Sequence, residues 1–217
     1  MASDKKSNER FSWASEIPTQ EDAVAQVYDD FAADYEQTTN EWGYEAPTVA
    51  AQLLQTYRVA ADEPLLDAGC GTGLTGVTWK QAGYTSITGI DISADSLTKA
   101  AKTDAYTATL SHNLNDPLPF DNDTFAAVLC IGVLTYVPDL SQVLAEFARV
   151  CRNNGLVVFT QRDDLYRDRN CATLFAKLES AGMWKRLYQS EPRPYLPHHP
   201  DYGDKIHTYY FVYRILS

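Results

Sequence analysis

The chain has 217 residues, 45% of them apolar, which suits one sizeable core and is short for two full domains. Its formal net charge of -11 argues against a phosphate backbone as partner, since nucleic-acid binders present a basic face that displaces counterions. No apolar run reaches the roughly 18 residues of a membrane helix, and Cys70, Cys130, Cys151 and Cys171 are too scattered for a zinc site or redox dithiol, so a cytoplasmic protein without metal is expected.

In chain order, residues 1–17 are mixed polar with no periodic apolar face and read as a flexible arm ahead of a single domain over 18–217. Val24, Val27, Tyr28, Phe31 and Tyr35 recur at three- and four-residue steps, one face of a helix over 21–35. After a loop at Glu41-Trp42-Gly43-Tyr44, a second helix follows Pro47, with Val49, Ala50, Leu53, Leu54 and Tyr57 as its buried stripe. Together these form an N-terminal helical lid over about 18–57, whose Tyr28, Tyr35, Trp42 and Tyr44 are placed to close over a ligand. Apolar runs at 64–68, 86–91, 106–110, 125–131, 155–160, 185–190 and 208–216 read as strands. Helices fall at 74–82, 94–102, 140–151 and 171–181, with Ser93 and Asp139 as caps. The alternation predicts an α/β, doubly wound, mostly parallel seven-stranded sheet with helices on both faces. Only a loop, 191–205, joins the last two strands, which predicts an antiparallel C-terminal edge strand.

The first of these strands runs straight into Gly69-Cys70-Gly71-Thr72-Gly73 and then a helix, a turn that needs glycine and brings backbone to a ligand. The next strand ends in Gly89-Ile90-Asp91, about 20 residues on, where a carboxylate meets ribose hydroxyls in dinucleotide folds. Gly71-Thr72-Gly73-Leu74-Thr75-Gly76 also spells G-x-G-x-x-G, the mark of a nicotinamide-dependent oxidoreductase, but two residues late: counted from Gly69, the third glycine position holds Leu74. Asp67 would moreover repel a pyrophosphate, while it suits a ligand bearing an ammonium and a sulfonium.

The run Leu66-Asp67-Ala68-Gly69-Cys70-Gly71-Thr72-Gly73, followed by Gly89-Ile90-Asp91-Ile92-Ser93 and by Asn113-Leu114 with Leu118-Pro119-Phe120-Asp121, resembles the class I S-adenosylmethionine-dependent methyltransferases. Tyr28-Asp29-Asp30-Phe31-Ala32, Trp42-Gly43-Tyr44 and Gly132-Val133-Leu134-Thr135-Tyr136-Val137 are similar to a subgroup of small methyltransferases that includes the methyltransferase-like protein of the Williams-Beuren region. The resemblance implies S-adenosylmethionine as cofactor, with Gly69, Gly71 and Gly73 at its methionine portion and Asp67 ordering that loop. It puts Asp91 at the ribose, Ile92 on the adenine, and Leu114, Cys130 and Tyr35 in the same site. Asn113 departs from the Asp common in the family, yet its amide can both accept from an adenine amino group and donate to a ring nitrogen.

The acceptor is expected to meet residues just after strands four and five, Gly132 to Tyr136 and Gln161 to Asp164, since ligand crevices in such sheets lie at the strands' carboxyl ends. Tyr136, Trp42 and Tyr28 are the candidates for positioning it. His198, His199 and His207 stand in a loop-rich C-terminal stretch, solvated or serving one as base; no carboxylate at ligand spacing completes a metal site with them. No Asn-Pro-Pro-Tyr or Asp-Pro-Pro-Tyr run follows strand four, and no pair of glutamates marks an arginine methyltransferase. A small-molecule methyl acceptor is expected, reached by direct in-line displacement in a monomer or homodimer without nucleic-acid or membrane partners. An NAD(P)-dependent oxidoreductase and a non-catalytic S-adenosylmethionine-binding protein acting through a partner are the alternatives.

Overall fold

The computed structural model describes residue 39, residues 41–200, residue 203 and residues 205–216. The arm over 1–17 and the helix over 21–35, with Tyr28 and Tyr35, lie outside the described residues.

The helix after the 41–44 loop is α1 (Ala46–Thr56), with Pro47 in its first turn. Its stripe of Val49, Ala50, Leu53 and Leu54 is buried, and the Trp79 indole donates to the Pro47 carbonyl at 3.2 Å. This part of the expected lid is packed into the core. Five strands then pair in parallel: β1 (Leu65–Ala68), β2 (Ile87–Asp91), β3 (Ala108–Ser111), β4 (Phe125–Cys130) and β5 (Cys151–Arg162). Between and after them run α2 (Leu74–Gln81), α3 (Ala94–Lys102), α4 (Leu140–Val150), α5 (Asp163–Asp168) and α6 (Cys171–Ser180). The chain closes with β6 (Trp184–Gln189), the two-residue β7 (Arg193–Pro194) and β8 (His207–Ile215).

The sheet has the order β3-β2-β1-β4-β5-β8-β6, with β7 paired to β8 outside that path. Its buried side chains form a core on either face. Leu144 and Phe147 of α4 and Phe175 of α6 fill one, and Leu54 of α1 with Trp79 of α2 fills the other. Strand order reverses between β1 and β4, the switch point where α/β folds bind ligands.

The antiparallel C-terminal strand is present, but it is inserted between β5 and β6, and β6 takes the edge. Side-chain character explains the arrangement. Tyr210, Phe211, Val212 and Tyr213 bury both faces of β8, whereas β6 exposes Lys185 and Arg186, charges that protect a free edge. β5 also starts earlier than its apolar run, because its register slips from Phe125↔Cys151 to Ala127↔Leu156 in a bulge that the apolar pattern does not mark.

Candidate functional site

The loop after β1 is held from below. The amides of Gly69 and Cys70 both donate to the Ile90 carbonyl, at 2.8 and 3.0 Å, which folds the turn onto the end of β2. Gly69, Gly71 and Gly73 have φ of 90, 53 and 103°, a region that side chains disfavour. Asp91 closes the turn: its Oδ2 accepts from the Gly71 amide at 2.8 Å and its Oδ1 from the Ser93 amide at 2.9 Å.

Asp67 lies beneath this loop, fully buried, and does not line the cleft above it. Its Oδ2 accepts from the hydroxyls of Thr75 and Tyr106, the latter at 2.8 Å, and its Oδ1 has no partner among the described residues. Burial pushes its carboxyl up to about 7 against the pull of those two bonds, with a smaller push from Asp91. Thr75 and Tyr106 carry no local sign of this role, because the contact with Tyr106 spans 39 residues of sequence.

The cleft encloses about 990 Å³ of empty space, counted out to the solvent at its mouth. Gly69, Gly71, Asp91, Ile92, Asn113 and Leu114 line one half together, and His112 joins them. The other half is lined by Tyr44, Pro47, Ile131, Val133, Tyr136 and Val137. Cys130 faces the core rather than the cleft, buried among residues such as Leu134 and Phe159. Gly73 turns toward α3, where an added Cβ would come within 3.1 Å of Ala100 Cα. Trp42 packs on the imidazole of His199, centroids 4.2 Å apart, and its carbonyl accepts from the His198 amide, so it braces the C-terminal loop and does not line the cleft. Gly76, the third glycine of the G-x-G-x-x-G match, faces Tyr106 inside the fold.

This second half is built on the one-turn 3-10 helix Leu134–Tyr136. Arg169, which precedes α6, ties this turn down: its guanidinium donates to the carbonyls of Leu134, Thr135 and Val137 at 3.2, 2.9 and 2.8 Å. Thr160 of β5 accepts from the Gly132 amide at 2.7 Å. Tyr44 meets Tyr195 edge to face with centroids 5.4 Å apart, and burial pushes the Tyr195 phenol up. Of the residues expected just after strand five, Gln161 and Arg162 instead belong to β5 itself, Gln161 buried away from the cleft and Arg162 paired with Asp164 at 2.6 Å. His198, His199 and His207 do not line the cleft.

The arrangement fits S-adenosylmethionine. An added Cβ at Gly71 would meet nothing within 4 Å, leaving the loop backbone open to a ligand, and the Asp67 carboxyl buried beneath that loop can supply a countercharge to a cationic one without touching it. Residues 66–159 match the family model described as a methyltransferase domain, and the chain belongs to the class I S-adenosylmethionine-dependent methyltransferases. Its cofactor is S-adenosylmethionine.

Among individual relatives, the chain is 32% identical to human methyltransferase-like protein 27 over 167 residues, 74% of this chain and 67% of that one. It is also 32% identical to the malonyl-(acyl-carrier protein) O-methyltransferase of Hamiltonella defensa over 138 residues, 64% of this chain, and so spans about half, 51%, of that relative's length. The fold is shared with a Haloferax volcanii methyltransferase solved in complex with the Trm112 methyltransferase activator, with a TM-score of 0.66 and 17% identity, covering 88% of this chain and 98% of that one.

Proposed function

We propose that this methyltransferase acts on a small, uncharged acceptor bound between Tyr44 and Tyr136. The carrying observation is the lining of the acceptor half. It consists of apolar and phenolic side chains, and among the described residues Asp91 is the only carboxylate lining the cleft, with no lysine or arginine there. A phosphorylated or carboxylated acceptor finds no countercharge in such walls, and an unpaired buried charge is costly.

In this reading the Gly69–Gly73 loop and Asp91 receive the methionine and ribose portions, Ile92 and Leu114 flank the adenine, and Asn113 reads its edge. When bound, the cofactor supplies a methyl group already activated by a positive sulfur. The protein's task is then to place the acceptor's lone pair in line with that methyl and exclude water. Tyr136 and Val133 form one wall, Tyr44 and Pro47 the other. Orientation of this kind contributes about 7 to 11 kcal/mol, more than the ~10²–10⁴-fold of a single general base. His198, exposed and outside the cleft, is assigned no proton-transfer role.

The test is transfer of labelled methyl from S-adenosylmethionine into fractionated metabolite extracts. Label is expected in low-mass, uncharged fractions. Label confined to acidic metabolites, protein or nucleic acid would contradict the assignment.

A further inference from the structure

Two glycines near the loop have no need of a left-handed backbone, yet neither position has room for a side chain. A Cβ on Gly76, in the first turn of α2, would lie 2.3 Å from Tyr106 Cζ and 2.5 Å from its Oη. A Cβ on Gly89, in the middle of β2, would lie 2.9 Å from Cδ1 and Cε1 of the same ring. Such distances are far inside ordinary contact, so the two glycines cut a slot between helix and strand that the Tyr106 ring fills. From that slot the hydroxyl donates to Asp67 Oδ2 at 2.8 Å and accepts from the Gly76 amide at 3.0 Å. The second bond satisfies one of the amides that a helix N-terminus leaves without an internal partner. One hydroxyl thus joins the end of β1 to the start of α2, the two ends of the Gly69–Gly73 loop.

We propose that Tyr106 is a positioning residue for the cofactor: seated between Gly76 and Gly89, it fixes Asp67 and the first turn of α2, and through them the loop that receives the cofactor's methionine portion. This rests on the loop and Asp67 serving the cofactor as read above. It also gives the G-x-G-x-x-G match a physical cause unrelated to a pyrophosphate, since Gly76 is small for the sake of Tyr106.

The groups around the Asp67 carboxyl are Thr75 from α2, Tyr106, Cys70 from the loop, Asp91 from β2 and Cys130 from β4, with no cation among them. The Tyr106 bond favours the ionised form against burial. Removing the hydroxyl therefore keeps Asp67 protonated to higher pH, where a cationic ligand is held less well.

Tyr106→Phe keeps the ring in its slot and deletes only the hydroxyl. Titration calorimetry with S-adenosylmethionine, which carries the sulfonium charge, across the neutral range is the experiment, on wild type, Tyr106→Phe, Gly76→Ala, the double variant of these two, and Asp91→Ala. Tyr106→Phe is expected to weaken binding about tenfold, the scale of one hydrogen bond to a charged group, and to move the midpoint of the pH dependence upward. Gly76→Ala, which must displace the ring, is expected to weaken binding similarly. The double variant should then be little worse than the poorer single one, because both lose the same contact. Unchanged affinity in Tyr106→Phe, or a loss equal at every pH, overturns the inference. If Asp91→Ala weakens binding while Tyr106→Phe does not, the inference alone falls. If neither variant changes binding, or the wild type does not bind, the assignment of the cleft falls with it.

Discussion

At the scale of single residues, the site joins a charge held under strain of burial with walls held by distant hydrogen bonds. Asp67 ionises only near pH 7, so its contribution favours the folded state below its ordinary pKa and is lost as pH rises through about 7. Asp67→Asn should accordingly unfold at a higher temperature than wild type above pH 7 in the absence of ligand, as calorimetric scans at pH 6 and 8 would show. The same variant should bind the cofactor more weakly and lose the rise in affinity with pH that a carboxylate buried beneath a cationic ligand's loop provides. A second residue-scale prediction concerns Arg169. Arg169→Ala frees the carbonyls of the 134–137 turn, and a displacement of about 1 Å in a reacting partner can cost ~10²-fold. Turnover should fall at least tenfold with cofactor affinity nearly intact, a split that steady-state kinetics beside calorimetry would resolve. The places of Gly69, Gly71, Asp91 and Asn113 at the cleft were legible in the sequence because each stands at a strand end or within three residues of one. Tyr106, Thr75 and Arg169 were not, since their partners arrive only through tertiary structure, 34 residues away for Arg169 and Thr135.

At the scale of elements, local signals and long-range pairing separate cleanly. Ser93 and Asp139 cap their helices as their positions suggest: Ser93 Oγ accepts from the Ser96 amide at 3.0 Å, and Asp139 Oδ1 accepts from the amides of Ser141 and Gln142 at 3.0 Å. Asp139→Ala should cost about 1 kcal/mol, a fall of roughly 2 to 4 °C in Tm for a domain of this size, without changing cofactor affinity. The position of β8 inside the sheet was harder to read. An antiparallel pair can be appended in either order, and the deciding facts are that β8 is buried on both faces and β6 carries exposed Lys185 and Arg186. The bulge at the start of β5 was hidden for a related reason, because Arg152, Asn153 and Asn154 read as loop residues: they have no partners on β4, Asn154 has a left-handed φ of 64°, and pairing resumes only at Leu156.

At the scale of the molecule, a charge of -11 and a cleft lined by no lysine or arginine among the described residues point the same way. Duplex or single-stranded DNA at low micromolar protein should show no salt-dependent retardation in a gel, since no counterion release is available to drive it. The strand order brings β1, β2 and β4 to one mouth, so that the glycine loop, Asp91 and the Gly132–Val137 segment meet although the sequence separates them widely. In the proposed reading this mouth holds the cofactor with its methyl-bearing end toward Tyr44 and Tyr136. A crystal structure of the protein with S-adenosylhomocysteine tests it most directly. The methionine portion is expected on the Gly69–Gly73 loop, the ribose hydroxyls on Asp91, the adenine between Ile92 and Leu114, and the sulfur facing Tyr44 and Tyr136. The ligand bound outside this cleft, or lying in it with the adenine against Tyr136, would contradict it.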